Sequence, residues 1–193
     1  QGVIQRVDFT YNPNYNASHV AAYKAAVQHT VNEVIRGSMS DEQKALALHD
    51  YLVQHMEYDQ NAFNNSGLEK RNAYEALVNG IGVCEGYALA YAALLKAVNI
   101  EVDFCESRSM NHIWNYVKLG GNWYHVDPTY DDVMAASQFG ATGSAKHEYF
   151  LLSDSAMAAK PGRDWETKGV ATDTSYDNSW HKTVPSTGSA IYT

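Results

Sequence analysis

Asn79-Gly80-Ile81-Gly82-Val83-Cys84-Glu85-Gly86-Tyr87-Ala88-Leu89-Ala90-Tyr91-Ala92-Ala93-Leu94-Leu95 is the stretch on which the reading of this chain turns. Two glycines precede a helical segment, 84–98, that is apolar or alanine on nearly every face. A helix without a polar face belongs at the centre of a fold. After it, Ile100, Val102 and Phe104 alternate with Glu101, Asp103 and Cys105, the period of a half-buried strand. Residues 112–119 and 122–127 are β-rich runs separated by Gly120-Gly121, a two-residue loop suited to a tight hairpin. Residues 148–152 form one more short strand candidate.

Working outward, apolar positions at Tyr23, Val27, Val31, Val34 and Ile35 predict an amphipathic helix from Val20, with Gly37 as its C′ residue. A second helix starts after Ser40, which forms a capping box with Gln43, and its stripe of Ala45, Leu48, Leu52 and Met56 carries it to about Tyr58. The Asn- and Gly-containing stretch 60–67 reads as a loop, and Tyr74, Leu77 and Val78 mark a short helical turn. The first twenty residues have no clean period. From Lys160 the chain is rich in Ser, Thr, Asp and Gly, and Trp165, Tyr176 and Trp180 are the residues able to pin it to the body. The expected organisation is one domain over 1–193: a core at 40–152, an N-terminal extension with one helix at 1–39, and a C-terminal wrap at 153–193.

At 193 residues the chain can bury a real core without disulfides or a structural metal. A composition 45% hydrophobic and 19% charged excludes the disordered class. The net charge of −8 argues against nucleic acid as a partner. No apolar run approaches the roughly 20 residues of a spanning helix. Because the chain starts at Gln1, a leader or further domains are expected to have been removed.

The hairpin geometry brings chemistry into view. With Gly120 and Gly121 as the loop, Tyr116 opposes His125 and Trp114 opposes Asp127, so His112 and Asp127 become diagonal neighbours on one face, with alpha carbons roughly 7–8 Å apart. Two side chains can bridge that distance. Cys84 sits at the first turn of the buried helix, where unpaired backbone N–H groups and the positive dipole end favour a thiolate. If that end packs on the face bearing His112, the three groups make a nucleophile, a general base and an orienter. Each residue alone has a bland reading, a buried cysteine as a small hydrophobe and a histidine as a structural polar group. Their joint placement is what points to catalysis. A metal set of His112, His125 and Asp127 would share the same face, but no Cys/His pair has structural-zinc spacing, and no metal is expected. Cys105 is expected to be a buried strand residue and not a redox partner of Cys84.

The motifs Gly82-Val83-Cys84-Glu85-Gly86-Tyr87-Ala88, His112-Ile113-Trp114-Asn115 and Trp123-Tyr124-His125-Val126-Asp127-Pro128-Thr129 resemble the transglutaminase-like superfamily of papain-like thiol enzymes, in the order Cys, His, Asp and over about 40–152. The resemblance implies an α+β fold of papain-like, transglutaminase-core type, with the catalytic helix packed on an antiparallel β-sheet and additional N-terminal helices. It also implies a thioester acyl-enzyme and no metal or organic cofactor, with Cys84 as nucleophile, His112 as base and Asp127 as orienter. Trp114 and Tyr58 are the candidates for substrate binding. Glu85 puts a negative charge beside the nucleophile, which disfavours the thiolate. The expected function is acyl transfer from a peptide or glutamine side-chain amide, giving cross-linking, deamidation or hydrolysis; the alternative is an inactive binding module at the cell surface. The expected partner is a protein or peptide substrate, the expected state a monomer, and the expected setting extracellular or at a bacterial cell surface.

Overall fold

A computed structural model describes residues 15–64, 71–132 and 147–179. In chain order the elements are α1 (Ala17–Val34), α2 (Asp41–His55), β1 (Glu57–Tyr58), α3 (Gln60–Asn64), α4 (Ala73–Val78), β2 (Ile81–Gly82), α5 (Cys84–Ala97), β3 (Val102–Ser107), β4 (His112–Leu119), β5 (Asn122–Val126), α6 (Pro128–Asp131), β6 (Phe150–Leu152) and α7 (Asp154–Ala158). Strands β3-β4-β5-β6 form a four-stranded antiparallel sheet in that order. Residues 1–14 and Trp180 lie outside the described residues, as does the end of the 60–67 stretch.

Helix α5 lies between α1, α2 and α4 on one side and strands β3 and β4 on the other. Its sequence explains why. Tyr87, Ala88, Ala90, Tyr91, Ala92, Leu94 and Leu95 are all buried, so apolar surface leaves water on every side of the helix. The Asn115 side-chain amide of β4 donates to the Ala88 carbonyl at 3.1 Å and ties the sheet to the helix. The two buried tyrosines find partners for their hydroxyls: Tyr91 donates to Ala45 O at 2.9 Å and Tyr87 to Asp132 Oδ2 at 2.6 Å. Unpaired, each hydroxyl would cost about 1–3 kcal/mol.

The hairpin register is the expected one, with Leu119 opposite Asn122 and Tyr116 opposite His125. Helix α2 begins with the Ser40–Gln43 capping box. Several boundaries differ. Helix α1 starts earlier, because Asn16 Oδ1 accepts from the Ser18 and His19 amides, and it ends at Val34, before Gly37. Its terminal carbonyls are met by Arg36, whose guanidinium donates to Glu33 O at 2.9 Å and Ile35 O at 3.1 Å. Helix α2 stops at His55, and Glu57–Tyr58 pairs in parallel with Ile81–Gly82. Strand β3 starts two residues late, since Ile100 is still tied back to the helix through its amide to Leu95 O at 3.0 Å.

The β1–β2 pair fixes the segment that enters α5. Glu57 N donates to Gly80 O at 2.7 Å, and Asp59 N to Gly82 O at 2.9 Å. Gly80 has φ +68°, and a Cβ there would stand 2.9 Å from His55 O, so glycine is required by backbone conformation and by space.

The described residues before 40 and after 152 join the body. Val27, Val31 and Val34 of α1 and Tyr176 pack on the main apolar cluster, and Trp165 is buried in a second cluster with Trp114, Tyr116 and Met157. Among the described residues no helix is long and apolar enough to cross a membrane.

Candidate active site

Cys84 is the first residue of α5, and its N-cap, Val83, offers no side-chain acceptor to the first-turn amides. Those N–H groups therefore remain available beside the sulfur, a setting that favours negative charge. Cys84 is buried, 6% exposed.

His112 opens β4, and Asp127 caps α6 with Pro128 at the first helical position. The diagonal placement holds: His112 Nε2 lies 2.7 Å from Asp127 Oδ2. Burial opposes charge on this imidazole, yet the Asp127 carboxylate and a hydrogen bond to Cys84 raise it to about 9. With Nε2 on the carboxylate, Nδ1 is the nitrogen left for the thiol. Burial likewise works against ionised Asp127, and the charges of His112 and Arg163 overcome it, holding the carboxyl down at about 2. Its Oδ1 accepts from the Tyr130 amide at 3.3 Å.

The remaining sequence candidates fall into place differently. Trp114 does not line an open pocket; its ring is fully buried, stacks on His112 with centroids 5.4 Å apart, and so backs the imidazole. Tyr58 is buried in β1, where burial and the nearby Cys84 raise its pKa and keep the phenol neutral. Glu85, expected to press on the thiol, turns to Arg71 at 3.7 Å. Cys105 is buried in β3, and desolvation pushes its thiol up to about 12. Cys84 and Cys105 are both free.

His125 does not join a metal set with His112 and Asp127. The Trp114 indole N–H donates to His125 Nδ1 at 2.9 Å, and an indole nitrogen can only donate, so Nδ1 carries no proton. Nε2 then donates to Asp154 at 2.8 Å. Burial, the largest influence, lowers this histidine to about 4.

Sequence reading missed Arg163. Lys160-Pro161-Gly162-Arg163 forms a turn, with Gly162 at φ +70° and Arg163 N donating to Lys160 O at 3.4 Å. It returns the arginine to the site, where Nη1 meets Asp127 Oδ2 at 2.7 Å. A tail without periodicity carries no signal for this. A second missed cluster is His49, Asp50 and His147, whose donor atoms lie within 4.8 Å of one another and form the one set among the described residues able to hold a metal ion. They already bond to each other, His147 Nε2 to Asp50 Oδ1 at 2.6 Å and His49 Nδ1 to the same oxygen at 3.1 Å.

A buried helix that begins with cysteine, laid on an antiparallel sheet whose hairpin presents a His–Asp pair, defines a papain-like α+β protein. The Transglutaminase-like superfamily matches residues 28–128, just over half of the chain, and the chain belongs to that superfamily. It is similar to the kyphoscoliosis peptidase of Mus musculus, at 20% identity over 156 residues, 74% of this chain and 23% of that protein. The chain thus spans about a quarter of that curated relative's length. Among solved structures, a TGase superimposes with a TM-score of 0.52 at 15% identity, over 61% of this chain and 34% of that one, a likeness of fold.

Proposed function

We propose that this chain is a thiol acyl-transfer enzyme acting on peptide or glutamine side-chain amides. The observation that carries the reading is the juxtaposition of Cys84, at an uncapped helix start, with a His112 imidazole held at 2.7 Å by Asp127. The Cys84 thiolate attacks the amide carbonyl and forms a C–S bond. The Cys84 backbone N–H receives the developing oxyanion, and the neutral Tyr58 hydroxyl is the candidate for a second donor. As the tetrahedral intermediate collapses, the C–N bond breaks, and the His112 imidazolium gives its proton to the departing nitrogen. The thioester then passes its acyl group to an amine or to water, with His112 taking the proton of the incoming nucleophile.

Mass spectrometry of a glutamine-containing peptide, incubated with and without a primary amine, tests this. A mass gain of amine minus ammonia, a deamidated product, or a cleaved chain each supports thiol acyl transfer and identifies the acceptor. No change in any arm with a panel of such peptides would count against it. Restricted access favours a second reading, a binding module that keeps the fold without turnover, since Cys84 is 6% and His112 8% exposed. Rapid, selective alkylation of Cys84 by iodoacetamide would support the enzyme, and an inert thiol the module.

A further inference from the structure

Arg163 is a cation with no exposed side-chain surface, set against an equally buried carboxylate. Its guanidinium carbon lies 3.7 Å from the centroid of Tyr130, 4.4 Å from that of Tyr149 and 5.3 Å from that of Trp114. Nε and Nη2 have no hydrogen-bond partner among the described residues, so the aromatic faces are their surroundings. A buried ion pair is often no more stabilising than apolar residues of the same volume, so stability does not explain the arrangement. Position does. Arg163 Nη1 and His112 Nε2 both lie 2.7 Å from the same oxygen, Asp127 Oδ2. Arg163 also lies beyond residues 28–128, the segment shared with the superfamily.

We propose that Arg163 is a positioning residue of the thiol site: by binding the Asp127 oxygen that His112 uses, it fixes the carboxylate and divides its negative charge between two cations. The inference rests on Cys84, His112 and Asp127 being the reacting set. A carboxylate facing only the imidazole would hold the imidazolium proton tightly. One shared with a permanent cation holds it less tightly and lets it pass to a leaving amine.

The groups around the pair leave few other charges to confuse the effect. Tyr58 of β1, Tyr130 of α6 and Tyr149 before β6 are raised by burial and stay neutral. Cys105 of β3 is raised as well, and His125 of β5 is lowered to about 4, so both are neutral near pH 7. Asp154 of α7 is engaged with His125. Cys84, His112, Asp127 and Arg163 remain, with Asp154 beside the neutral His125 and Lys160 over the Tyr149 ring at the edge of the cluster.

The test is an NMR titration of the His112 imidazole in a Cys84→Ala background, where the result does not depend on turnover. Arg163→Gln keeps a hydrogen-bond donor and removes the charge; the His112 midpoint is expected to rise by about one pH unit, the size produced by one close charge. Arg163→Lys restores the charge and is expected to return the midpoint close to that of the parent. An unmoved midpoint in folded Arg163→Gln would overturn the proposal, as would an equal shift in Arg163→Lys. Loss of the fold in Arg163→Gln also counts against it, because a positioning role requires the fold to survive. If Cys84 proves inert toward amides while His112 shifts as expected, the acyl-transfer reading fails and the division of charge stands.

Discussion

Two buried histidine–carboxylate clusters lie in this molecule, and their parts are nearly the same. In one, His112 faces Asp127; in the other, His49 faces Asp50 through Nδ1 and Asp131 through Nε2, both at 3.1 Å. Burial opposes the charge in each case, and the carboxylates bring each imidazole to about 9. The difference lies in the remaining ring nitrogen. His49 has given both nitrogens to carboxylates and is fully buried, whereas His112 keeps Nδ1 for a thiol at a helix start and retains 8% exposure. A perturbed histidine therefore does not identify a reactive centre. What sets His112 apart is the adjacent thiol of Cys84. His125 completes the lesson, because a carboxylate partner does not keep it charged when burial dominates and an indole N–H occupies its other nitrogen.

The comparison can be broken most severely at Cys84, the proposed nucleophile. Cys84→Ala is expected to abolish amide turnover with little loss of stability, since a thiol-to-methyl change removes little volume. Turnover surviving in that variant would erase the distinction between the clusters. The sealed cluster should instead register in stability: Asp50→Ala removes the carboxylate oxygen to which both buried histidines bond, with an expected cost of about 3–5 kcal/mol in urea unfolding. A cost near zero would show that the cluster does not hold α2 to the segment before β6.

Alkaline titration examines both clusters at once. His49 and His112 have folded values raised above the ordinary 6.5, so their stabilisation is complete below about pH 6.5 and is lost as pH rises through about 9. Asp50 and Asp127 are lowered, so their stabilisation is present above about pH 4 and is lost on acidification through their folded values. Urea midpoints measured from pH 4 to 10 should therefore form a plateau that falls on the alkaline side. A midpoint that rises between pH 7 and 9.5 would contradict the assigned charges.

Asp127→Asn should retain the fold and lose on the order of a hundredfold in rate, because an amide cannot stabilise the imidazolium as a carboxylate does. A loss under tenfold, read from initial rates at neutral pH, would show that Asp127 is structural. The smallest effect is expected at Glu85, whose half-exposed carboxylate is answered by Arg71. Glu85→Gln should change the Cys84 alkylation rate by less than about twofold, as for screened surface charges. A tenfold gain would mean that Glu85 bears on the thiol after all.

What could be read from the residues follows from the range of the forces involved. Strands β4 and β5 were legible because Gly120-Gly121 sets their register locally, and that register placed His112 diagonal to Asp127. Helix α5 was legible because its apolar character is continuous. Two-residue strands have no period, so Glu57–Tyr58 and Ile81–Gly82 left no trace. Arg163 reaches Asp127 across 36 residues and His147 reaches Asp50 across 97, and neither is flanked by a pattern that names its partner. Trp114 was recognisable as an aromatic on the His112 face, but only the packing of Trp165 and His125 around it shows that it is interior.

The β1–β2 pair has a consequence for anyone diversifying this chain. The thiol's location is set by backbone-to-backbone bonds from Glu57 and Asp59 to Gly80 and Gly82, and such bonds survive exchange of side chains. A randomised library at positions 57 and 81 should therefore yield many variants in which Cys84 has not moved. At position 80 the same library should collapse to the parent, because any other residue must adopt φ +68° and meet the His55 carbonyl. Tolerance to mutation around the cysteine is thus very uneven: broad along the strands and confined to a single residue at the turn that feeds them.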